Sequence, residues 1–168
     1  MRGLPVLALL VLSGLGPIDA YSQQLVPNPV IGGIPLHCVF PSGVPVLTTM
    51  APINDWAAAR VVPTPTGTVA VITLNPHIVP GLPAPVQWFL YGHECMHHLL
   101  GHTLWNVTIG LEVDADCQAV KLLRNQGFLN ANSVQLVAAY FQNNPPQPPF
   151  YPPGPERAGR LRACFSVP

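Results

Sequence analysis

Apolar and polar positions along this chain alternate with two distinct periods, separated by proline-rich stretches. Residues 1–20 (MRGLPVLALLVLSGLGPIDA) carry an apolar core of about a dozen residues, Leu4 to Leu15, behind Arg2. Gly16-Pro17 and the small Ala20 close it. Residues 21–66 are broken by prolines at 27, 29, 35, 41, 45, 52, 63 and 65, with short extended pieces expected at 44–49 and 58–62. Gly67–Leu74 (GTVAVITL) is dense in β-branched residues and predicts a strand, ended by Asn75-Pro76.

The period then changes to helical. A helix is expected over 85–101, with Pro85 in its first turn and Gly101 as its stop. A second is expected over 109–126, with Val113, Val120 and Leu123 on one stripe and Gly127 behind it. A third spans 133–142, and a short fourth falls within 156–164. The stretch 144–155 (NPPQPPFYPPGP) reads as an extended surface segment. The order of elements predicts one α+β domain over residues 21–168: a small sheet packed on a central helix, with two or three further helices.

Composition narrows the classes. Charged residues are only 8% of 168, and seven basic balance seven acidic, so there is no basic face for nucleic acid. With 22 prolines and 14 glycines, long bundles and coiled coils are excluded. The apolar run of residues 1–20 is too short to span a bilayer and has the layout of a cleaved secretory leader, so an exported protein without stable membrane insertion is expected, periplasmic or extracellular. In that setting Cys38, Cys95, Cys117 and Cys164 predict two disulfides, with Cys38–Cys164 and Cys95–Cys117 the favoured pairing of three.

The few charges are concentrated. Four of seven acidic residues (Glu94, Glu112, Asp114, Asp116) and four of six histidines (His93, His97, His98, His102) fall in one short stretch. Residues 93–97 read His-Glu-Cys-Met-His. On a helix His93 and His97 project about 40° apart and can grip one zinc ion. Glu94 lies about 100° from His93, where it can reach a zinc-bound water whose pKa the metal lowers. Catalytic zinc takes a third protein ligand. His102 is one residue out of register for the HExxHxxGxxH pattern and, in a continuing helix, points about 180° from His93. Glu112 is the better candidate. It shares a helix face with Asp116, which can accept the free N–H of a ligand histidine. Asp114 points away and reads as a solvated helix residue. The alternative for the Glu112–Asp116 pair is an acidic first helical turn complementing the helix dipole.

His93-Glu94-x-x-His97 followed by Glu112-Val113-Asp114-Ala115-Asp116 resembles the gluzincins. It is most similar to the soluble core of the CAAX-processing and heat-shock-type zinc proteases, and to small exported bacterial proteins pairing HECxHH with ADC. The resemblance covers roughly residues 67–127. It implies a zincin-like fold with His93, His97 and Glu112 as zinc ligands, Asp116 behind them and Glu94 as catalytic base. It also implies a peptide or protein substrate pairing along the strand Gly67–Leu74.

The expectation is therefore an exported zinc metallopeptidase. A zinc-binding module without turnover, acting through a partner, and a metal-free disulfide-held structural protein are the alternatives. His98, Tyr151, His77 and Arg157 are further candidates, the last three as oxyanion donors. Trp56, Trp88 and Trp105 are expected in the core.

Overall fold

A computed structural model describes residues 24–106, 108–145 and 150–167. The expected leader over residues 1–20 lies outside the described residues, as do residues 146–149 of the proline-rich stretch. The described residues form an α+β fold. β1 (Val30–Ile31) and β2 (Ile34–Pro35) make a small antiparallel ribbon. β3 (Leu47–Met50), β4 (Ala57–Thr64) and β5 (Gly67–Leu74) make a three-stranded sheet in the order β3-β5-β4. The helices are α1 (Ala84–Leu99), α2 (Ile109–Asn125), α3 (Ala131–Asn143) and α4 (Gly154–Ser166).

The strand expected at Gly67–Leu74 has the expected bounds but not the expected place. β5 is the central strand, parallel to β3 (Leu47↔Val71 to Met50↔Leu74) and antiparallel to β4 (Ala57↔Leu74 to Thr64↔Gly67). Its last four residues, Val71, Ile72, Thr73 and Leu74, are buried, as befits an inner strand rich in apolar and β-branched residues. Both its edges are occupied, so it cannot be the edge that receives a peptide. The edge strands of this sheet are β3 and β4.

Local chemistry starts each helix. Pro85 sits in the first turn of α1, where its missing N–H leaves nothing unsatisfied. Thr108 Oγ1 caps α2 by accepting from Leu111 N–H at 3.3 Å. Asn130 and Ser133 form a reciprocal capping box at α3. Gly154 opens α4 so close to α3 that a Cβ there would sit 2.6 Å from the carbonyl oxygen of Gln142.

α1 is the centre of the packing, touching α2, α3, β1, β4 and β5, while α4 closes over α2 and α3. Val86, Phe89, Ile72, Leu74, Leu123, Val137, Phe141 and Leu161 are buried in one continuous core. Each contributes about 1.5–3 kcal/mol through removal of apolar area from water. Gly92 lets α1 and α2 approach, since a Cβ there would lie 3.0 Å from Leu123. Trp56 and Trp88 are half-buried against the core, but Trp105 is not core: at 73% exposure it caps the turn after α1.

The disulfides are Cys38–Cys95 and Cys117–Cys164, not the pairing expected. Cys95 is two residues beyond His93, about 200° around α1, so it faces away from α2 and out of reach of Cys117. Both bridges are of the kind found in oxidising compartments. No described helix is long and apolar enough to cross a membrane.

Candidate metal centre

One turn of α1 faces the first turn of α2, and three donor groups converge there. His93 Nε2 and His97 Nε2 face each other at 2.9 Å. Glu112 Oε2 is 3.0 Å from His93 Nε2, and Glu112 Oε1 is 3.5 Å from His97 Nε2. All three residues are buried, and their donor atoms lie within 4.8 Å of one another. At most one proton fits between two imidazole nitrogens at that spacing. Two lone pairs and a carboxylate aimed at one point are instead the donor set of a cation. Ligands at 2.0–2.1 Å around a tetrahedral ion sit about 3.3 Å apart, a value the three observed distances bracket. His93, His97 and Glu112 can therefore hold a metal ion.

The electrostatics agree with that geometry. Burial opposes a charge on His93, yet its contacts with Asp116 and Glu112 prevail and raise its pKa to about 10. Burial also works against ionised Glu112, but its contacts with His93 and His97 hold the carboxyl well below the usual range. In the absence of an ion, a proton on His93 compensates the carboxylates around it. A cation held there would take the place of that proton.

The second ring nitrogens have partners too. Asp116 Oδ1 lies 2.8 Å from His93 Nδ1. Asp116 is gripped from its other side by Arg157 of α4, through Nε to Oδ2 and Nη2 to Oδ1, each at 2.7 Å. Burial would raise the Asp116 pKa, but the Arg157 charge and the His93 contact lower it. The guanidinium stacks over Phe141 and Tyr151, with its carbon 4.2 and 4.5 Å from the ring centres. Arg157 is thus committed to Asp116 and is not a free oxyanion donor.

On the other ligand, His97 Nδ1 meets His102 Nδ1 at 3.2 Å. His102 Nε2 in turn is 3.6 Å from Asp114 Oδ2. Asp114 is half exposed and does point away from Glu112, but it faces His102 instead of open water alone. Burial, then the neighbouring His97, lowers the His102 pKa.

Glu94 is buried beside the cluster, and burial raises its carboxyl pKa against the pull of His93 and His97. It lines two adjoining cavities of about 380 and 330 Å³. Asp55, Ala57, Phe150 and Tyr151 line both, while Ala58, Ala59 and Trp105 belong to the first. The Tyr151 phenol is kept protonated by burial and by the nearby carboxylates. His98 is not in the cleft: its Nε2–H donates to the Val71 carbonyl at 3.1 Å, tying α1 to β5. His77 is exposed beyond β5 and lines neither cavity.

No protein-family model, curated protein or solved structure matches this chain. The site rests on its own geometry.

The roles of Arg157 and His102 were not readable from sequence. Arg157 is 41 residues from Asp116, with no local pattern joining them. α4 carries Glu156, Arg157, Arg160 and Arg162, so its sequence does not single out Arg157 as the buried charge.

Proposed function

We propose that the chain is an exported zinc-dependent metallopeptidase of the gluzincin type, with His93, His97 and Glu112 as ligands and Glu94 as general base. The carrying observation is the convergence of two imidazole nitrogens and one carboxylate within hydrogen-bond distance, with Glu94 alongside facing an open cleft. Zinc there supplies a Lewis acid for the scissile carbonyl and brings the pKa of a water toward neutrality.

The remaining chemistry belongs to the chain. Glu94 takes the proton of the attacking water and returns it to the leaving amine, a task suited to a carboxyl whose pKa burial has raised. Tyr151 lines the cleft with its proton retained and is the residue we assign to the developing oxyanion. Substrate binding falls to β4. Among the described residues it pairs only with β5, and Ala57, Ala58 and Ala59 line the cleft with side chains too small to block an extended peptide. Export is supported by the apolar leader pattern of residues 1–20 and by both disulfides.

The test is incubation of the zinc-loaded mature protein with a mixed peptide library, alongside Glu94→Gln. Wild-type cleavage reduced by about 10²–10⁴-fold in Glu94→Gln, with zinc retained, supports the reading. No cleavage by either protein, with zinc bound to both, overturns the peptidase and leaves a zinc-binding module.

A further inference from the structure

His102 enters the site by a route its spacing conceals. A helix continued from α1 would carry it to the far side from His93. Instead α1 stops at Leu99, and Gly101 adopts φ 74°, a left-handed conformation that reverses the chain. The 3-10 turn His102–Leu104 then folds back along the helix end. His102 is 8% exposed and borders the same cavity as Glu94 and His97.

Proton accounting determines its role. For His97 to offer a lone pair at Nε2, where His93 and Glu112 converge, its one proton must reside on Nδ1. That nitrogen faces His102 Nδ1 at 3.2 Å, so His102 Nδ1 must accept. The His102 proton then resides on Nε2, the atom facing Asp114 Oδ2 at 3.6 Å. One tautomer assignment satisfies every contact, and it runs from an exposed carboxylate to the ligand atom. His102 lies on the outer side of His97, away from Glu112, so it is not itself among the converging donors.

We propose that His102, backed by Asp114, is the positioning residue for His97: it accepts the His97 Nδ1–H and so fixes the tautomer and ring orientation in which Nε2 binds the metal. It does for His97 what Asp116 does for His93, with a neutral acceptor in place of a carboxylate. Outer partners of ligand histidines typically account for 10–100-fold in metal affinity. This inference rests on the metal reading above but not on turnover.

The experiment is competitive titration of zinc, and of cobalt with its visible absorption bands, into the full mature protein and its His102→Ala, His102→Asn and His102→Gln variants. Asparagine puts an acceptor oxygen near the Nδ1 position; glutamine puts one near Nε2. The expected result is a 10–100-fold weaker Kd and altered cobalt bands in His102→Ala. His102→Asn restores most of both, and His102→Gln does not. Should the alanine variant fail to fold, the Asn–Gln contrast carries the test alone, since both keep a polar side chain. Equal affinity and equal cobalt spectra across the folded variants overturn the inference while leaving the metal centre standing. So does rescue by glutamine equal to that by asparagine. Failure of the wild type to bind zinc or cobalt overturns the metal centre and this inference with it.

Discussion

Arg157 of α4 holds Asp116 of α2 by both carboxylate oxygens, in a pair that is 2–3% exposed. The same carboxylate faces His93, so the last helix of the chain determines the orientation of a residue on the first. Cys117 and Cys164 bridge the same two helices, one residue beyond Asp116. The fourth helix, faint in the sequence, is thus structurally part of the site.

Removing the guanidinium leaves a buried carboxylate without its cation. Arg157→Leu is expected to destabilise the fold by about 3–5 kcal/mol, measured by urea unfolding. Arg157→Lys recovers little, because an ammonium cannot make the paired contacts or lie flat on Phe141 and Tyr151. A lysine variant as stable as wild type would sink this account.

Metal removal and pH act on the same residues. With zinc at a thousand times its Kd, the metal adds about 4 kcal/mol, and chelation lowers Tm on the order of 10 °C. In the metal-free protein, His93 has its pKa raised from 6.5 to about 10. Its contribution is complete below pH 6.5 and is lost as pH rises through 10. Glu112 and Asp116 are depressed from 4.5 and 3.8, so their contributions are complete above those values and are lost toward acid. The combined contribution of these three groups is therefore greatest between about pH 4.5 and 6.5. Zinc at the proposed centre would replace the His93 proton and is expected to remove the alkaline decline. Calorimetry from pH 4 to 10 with and without chelator tests this, and a flat metal-free profile above pH 6.5 contradicts it.

The disulfides close spans of 57 and 47 residues, each worth about 4 kcal/mol by the loop-entropy relation. Peptide mapping without reduction is expected to yield Cys38 joined to Cys95 and Cys117 joined to Cys164. Replacing either pair by alanine lowers the urea midpoint. Recovery of a Cys38–Cys164 peptide would falsify the arrangement.

What could be read in advance was whatever depends on local periodicity. The strand at Gly67–Leu74, the helices around residues 85–101, 109–126 and 133–142, and the shared faces of His93 with His97 and of Glu112 with Asp116 all follow from residue spacing alone. A helix carries its own geometry, so positions four apart need no tertiary information to be neighbours.

Contacts between elements were another matter. That β5 is central, flanked by β3 and β4, depends on which strands pair, and apolar content does not specify that. The pairing Cys38–Cys95 and Cys117–Cys164 depends on which helix faces meet, which residue spacing does not specify. The position of His102 departs from helical extrapolation because one left-handed glycine, Gly101, ends the helix before it. By itself the sequence determined the two helical motifs and their shared faces. The tertiary structure alone decided the convergence of α1 with α2, the Arg157 support of Asp116 and the return of His102, because side chains distant in sequence meet only when the core has packed.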